Sequence, residues 1–142
     1  MKKGFTLMEV LIVTAIAAMI LSGVFIYIRD AKAKSRDAQR EHDIKQIQNA
    51  LSMYVVNQGI FPVCELTVID GTSDCLSSVL VGELLMPAVP TDPLHGSTGV
   101  CGADGSYVYC YQSLDGSTYS LQYNLETNSI PGKPAGWQQV GP

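Results

Sequence analysis

From Phe5 to Ile28 almost every residue is apolar, a run of about 24 residues that restricts what the chain can become. As a helix it is long enough to cross a hydrocarbon core of roughly 30 Å. Lys2 and Lys3 precede it, and Glu9 interrupts it close to its start. A carboxylate in lipid costs a few kcal/mol even on lenient scales, so such a residue calls for a partner or a role. A secretory signal peptide would need a shorter apolar core ending in small residues. Ala17 and Ala18 are small, but the apolar run continues well past them. A plain membrane anchor accommodates the run and leaves Glu9 unexplained. A segment that leaves lipid for a protein assembly gives Glu9 a purpose.

The residues Lys3-Gly4-Phe5-Thr6-Leu7-Met8-Glu9, leading into a long apolar run, resemble the processing site of type IV pilins and of the pseudopilins of type II secretion. The resemblance implies that an inner-membrane prepilin peptidase cuts between Gly4 and Phe5 and methylates the new amine on Phe5. It also implies self-association into a helical filament, with an inner-membrane assembly platform and other minor pilins as partners. Paired with the amine of a neighbouring Phe5, Glu9 would set register: each charge is costly alone in apolar surroundings and tolerable together. Relatives commonly carry a proline in the part of the stem occupied here by Ser22 to Ile28. This chain has none there, and Gly23 is the one weak point of that stretch.

The implied fold is α+β and pilin-like: a long N-terminal helix, first membrane-spanning and then amphipathic, packed on a small antiparallel sheet. The expected organisation is a leader over 1–4, a filament-core helix over 5–28, an amphipathic helix over 29–58 and a cysteine-containing head over 59–142. Past the apolar run, residues 29–45 carry six basic and four acidic side chains. Interleaving of this kind reads as a solvated helix surface with pairs such as Asp30–Lys34 and Glu41–Lys45, and it argues against nucleic-acid binding. Arg29, Lys32, Lys34 and Arg36 also suit the level of anionic lipid headgroups before assembly. From Ile44 the spacing of Ile44, Ile47, Leu51, Tyr54 and Val55 predicts a helix with one buried stripe. Asn57-Gln58-Gly59, with Pro62 close behind, predicts its end. The Gly59–Pro62 junction resembles that of the major pseudopilins and of many type IV pilins.

Residues 63–105 read as irregular, with a turn at Asp70-Gly71 and a short helix over 76–86. Tyr107, Tyr109 and Tyr111 alternate within 106–113, and Tyr119, Leu121, Tyr123 and Leu125 alternate within 118–125. These are two strands joined by a turn at Leu114–Ser117, with a third, edge strand over 137–140. Such a hairpin needs its apolar face covered, and the Ile44–Val55 stripe is the surface to cover it. Cys64, Cys75, Cys101 and Cys110 all lie in the head, which is acidic from Phe61 onward apart from Lys133. That distribution points to an oxidising space outside the cytoplasm, the periplasm or the cell exterior. Four cysteines allow three pairings; Cys64–Cys75 and Cys101–Cys110 close the short local loops. The spacings do not suit zinc.

His42, His95 and the hairpin serines show no spacing that joins a nucleophile to a base, so no enzyme is expected. No cofactor is expected either. Calcium is the one ion left open, because major pseudopilins often bind it in a carboxyl-terminal loop. Asp115, Glu126 and Asn128 offer oxygens here, without the dense acidic loop that calcium sites use. The favoured reading is a type IV pilus subunit. A pseudopilin of a secretion or DNA-uptake system is the alternative, and a membrane-anchored binding module that never polymerises stands behind both.

Overall fold

The computed structural model describes residues 4–142, apart from the side chains of residues 24–26; the leader lysines Lys2 and Lys3 lie outside the described residues. The order of elements is α1 (Leu7–Gln58), β1 (Cys64–Val68), α2 (Cys75–Gly82), β2 (Cys110–Ser113), β3 (Ser120–Leu125) and β4 (Gly136–Val140). The chain divides into two compact units, one running through Ala33 and one from Lys34 to Pro142.

The first unit is the apolar part of α1. Its best window has a mean hydropathy of 2.5, and none of that window is buried. Without a proline, nothing in this stretch removes a helical hydrogen bond. Its described side chains from Phe5 to Met19 face outward all round, as expected of a helix whose solvent is not water.

In the second unit α1 continues to Gln58 and stops at Gly59, whose φ of +81° is the left-handed conformation that favours glycine. The Gly59 N–H still donates to Val55 O at 2.8 Å, which closes the last turn. The four strands form one antiparallel sheet in the order β1-β2-β3-β4, so the expected α+β arrangement is present. Ile44, Ile47, Ala50 and Leu51 of α1 join Tyr109, Tyr111, Tyr119, Leu121, Tyr123 and Leu125 of the sheet side in one core, with Tyr54 and Val55 at its margin. Leu76 and Leu80 of α2, with Ile69 and Val89, extend the same core.

Three local readings need correction. Residues 64–68 are a strand, not irregular chain: Thr67 and Val68 pair with Tyr111 and Cys110, and the register shifts before Cys64 meets Ser113. The shift breaks the two-residue alternation by which a strand is recognised. The short helix ends at Gly82 rather than residue 86, and the second strand begins at Cys110 rather than residue 106. The hairpin turn works through Gly116, at φ +75°. A Cβ there would meet Ile60 Cβ and Phe61 O at 3.1 Å, while the Phe61 N–H donates to Gly116 O at 2.8 Å. The turn is thereby fixed against the chain leaving α1.

Candidate assembly site

At the amino-terminal end, Gly4 and Phe5 precede the first helical residue and both are exposed. Thr6 caps α1. Its carbonyl accepts from the Val10 N–H at 3.3 Å, and its Oγ1 accepts from the Glu9 N–H at 3.3 Å. Thr6-Leu7-Met8-Glu9 is therefore a threonine and an acid three apart at a helix start, the spacing of a capping box. Thr6 is thus the helix cap, a role that the spacing of Thr6 and Glu9 in the sequence already signals. Glu9 sits in the first turn, where the helix dipole favours an anion. Its side chain is exposed, and among the described residues no cation lies within ion-pair distance of it.

Within the second unit, Lys34, His42 and Lys45 of α1 are exposed, as a solvated helix surface requires, but the other face of the same turns is buried. Arg40 and Asp37 are fully buried. Arg40 reaches Asp37 Oδ1 and Glu126 Oε1 through Nη1, both at 2.7 Å, and Asp92 Oδ2 through Nε at 2.7 Å. Its guanidinium also lies over the Tyr107 ring, 4.9 Å from the centroid. Arg36 adds a second fork on Glu126. Asp37 accepts from the Glu126 and Thr127 N–H groups at 2.9 and 2.8 Å, and Asp92 Oδ1 accepts from the Leu94 N–H at 2.8 Å. One helical turn thus holds two distant loops, one before β2 and one after β3.

Burial by itself would lower the Arg40 pKa; its hydrogen bonds to Asp92 and Glu126, with the Asp92 charge, raise it above the ordinary value. The hydrogen bond from Arg36 leads in holding the Glu126 carboxyl below its usual range, against its own partial burial. Burial raises Asp43, which accepts from the Tyr109 hydroxyl at 3.0 Å. Burial likewise raises Tyr109 and Tyr123, so both hydroxyls stay protonated as donors, Tyr123 to Glu41.

These contacts revise the helix reading. Glu41 pairs with Lys133 at 2.8 Å, not with Lys45, and no Asp30–Lys34 pair forms among the described residues. They also occupy the oxygens considered for calcium. Glu126 is taken by two arginines, Asp115 accepts from Ser117 of its own turn, and Asn128 Oδ1 accepts from the Ala135 N–H at 2.6 Å. Cys64 is bonded to Cys75 and Cys101 to Cys110, each with Cα atoms 6.0 Å apart. The first disulfide ties α2 to β1, and the second ties the loop before β2 to that strand.

Residues 1–25 match the family model for the prokaryotic N-terminal methylation motif. No curated protein and no solved structure matches the chain. The motif implies prepilin-peptidase processing and filament assembly. Together with the apolar helix it describes a membrane-anchored precursor. The chain carries, on an α+β protein with an apolar N-terminal helix, the methylation motif characteristic of type IV pilins and pseudopilins.

Proposed function

We propose that this chain is a structural subunit of a type IV pilus. The precursor spans the inner membrane through 5–28, with its head on the outer side, where the cysteines of both pairs oxidise. Prepilin peptidase removes 1–4 and methylates the amine of Phe5. The assembly platform then draws the stem out of lipid into a bundle of like stems. The observation that carries this reading is the end of α1: an apolar helix exposed all round, interrupted by one carboxylate without a described partner. Lipid can cover the apolar side chains, but a protein partner suits the acid. The amine of Phe5 in an adjacent copy supplies it, and a subunit docked one turn out leaves both charges bare.

The test is to shear filaments from cells, image them and identify the subunit with its amino-terminal mass. Filaments built of chains that begin at methylated Phe5 are expected. Chains beginning at Met1, or cut near Ala18, would contradict the processing step. The Gly59–Pro62 junction favours the second reading, a pseudopilin, and the same experiment separates the two. Processed chain that stays in the envelope while no surface filament contains it would favour secretion or DNA uptake.

A further inference from the structure

The chain holds two histidines, and they are bonded to different kinds of partner. His42 Nε2 lies 2.7 Å from the Gln46 side-chain amide, which can turn its oxygen toward a protonated ring. His95 has no such freedom. Its Nδ1 accepts from the backbone N–H of Tyr107 at 3.3 Å, and a backbone N–H can only donate. A neutral imidazole with its proton on Nε2 makes this bond. An imidazolium, a donor at both nitrogens, cannot.

The charged groups around His95 are already committed. Asp92, in the same turn, gives Oδ2 to Arg40 Nε at 2.7 Å, and its Oδ1 accepts from Arg40 Nη2 at 3.1 Å and from the Leu94 N–H at 2.8 Å. Arg40 of α1 lies over the Tyr107 ring, and His95 meets that same ring edge to face with centroids 5.6 Å apart. Asp37 and Glu126 face Arg40 through Nη1. A proton on His95 therefore sets a second cation beside the ring that Arg40 occupies, while the nearest carboxylate is taken.

The segment that His95 holds is short. Thr98 returns to His95 O through its N–H at 3.0 Å and its Oγ1 at 2.6 Å, and the Gly96 N–H donates to Asp92 O at 2.8 Å. The chain beyond it is fixed separately. The Val100 N–H donates to Ser106 Oγ at 2.9 Å, Trp137 Nε1 donates to Ala103 O at 3.1 Å, and Cys101 is bonded to Cys110. Among the described residues, the hydrogen bond and the ring contact of His95 tie the 94–98 turn to Tyr107.

We propose that His95 is a proton-operated latch: neutral, it holds the 94–98 turn against Tyr107, and protonated, it releases that turn while the disulfide keeps the rest of the loop in place. An imidazole ordinarily takes up its proton at pH about 6.5, so release belongs to mildly acidic surroundings. Glu126 titrates below 4.5, so the ion cluster under the turn stays intact while the latch opens. The latch does not depend on polymerisation.

The experiment is hydrogen exchange, followed by NMR on the full chain in detergent, at pH about 7 and pH about 5. After correction for the pH dependence of an open amide, protection of the Tyr107 N–H should fall about tenfold on acidification. The Ile69 N–H, which donates to Tyr109 O, should keep its protection. Imidazole nitrogen shifts at the higher pH should show His95 Nδ1 without a proton. His95→Asn sets an amide oxygen in place of Nδ1 and cannot take up a proton there, so Tyr107 should stay protected at both pH values. Unchanged Tyr107 protection in the parent, an equal fall in parent and His95→Asn, or a proton on Nδ1 at the higher pH would overturn the proposal.

Discussion

Arg40 holds three carboxylates at once, and without it Asp37, Asp92 and Glu126 would face one another with little water between them. Arg40→Met should therefore destabilise the head by about 3–5 kcal/mol, the usual cost of removing one member of a buried ionic group. Urea unfolding of the full chain in detergent, followed by the fluorescence of the single Trp137, measures this. A loss below about 1 kcal/mol would be the size of a surface pair and would contradict the burial argument. This role was not legible in the sequence. The arginine sits among Asp37, Glu41 and Asp43 at spacings that suit a solvated helix equally well, and its decisive partners are 52 and 86 residues away. Glu9 was legible because an acid inside an apolar run is conspicuous with no knowledge of what lies across from it.

At the scale of elements, α1 and the β2–β3 hairpin follow from local pattern: a long run without proline, and aromatic alternation on either side of an Asp-Gly turn. The buried stripe of Ile44, Ile47 and Leu51 was equally readable from its spacing. The strand β1 was hidden by its register shift, and its position depends on a covalent tie to α2. Replacing Cys64 and Cys75 together by serine should cost about 2–4 kcal/mol. Hydrogen exchange should show β1 and α2 losing protection first, with β3 and β4 little changed. Equal loss across the sheet would mean that the disulfide supports the whole head rather than its edge.

For the molecule as a whole, pH tests the ion cluster. Glu126 titrates below its ordinary value of 4.5 in the folded chain, so its contribution is complete above that pH and lost as pH falls through the lower, folded value. Burial of Asp43 acts in the opposite sense, its raised pKa favouring folding as acid is added. The wild-type head should weaken between neutral pH and pH about 3, and Glu126→Gln, less stable at neutral pH, should weaken less over the same range. Parallel losses in the two chains, by urea midpoint at each pH, would assign acid sensitivity to other carboxylates.

Assembly through the stem turns on Glu9, the one acid between Phe5 and Ile28, and its role is measured by filament yield from a Glu9→Ala chain. Cleavage after Gly4 is first confirmed by amino-terminal mass, which separates assembly from recognition by the peptidase. Removing the carboxylate should leave membrane insertion intact, since an apolar helix without its acid enters lipid at least as readily. In the filament it would leave the amine of each neighbouring Phe5 without a partner. Yield should fall by about tenfold or more, even if the loss per subunit is well below that of a fully buried pair. Normal numbers of filaments built from fully processed Glu9→Ala chain would contradict the account.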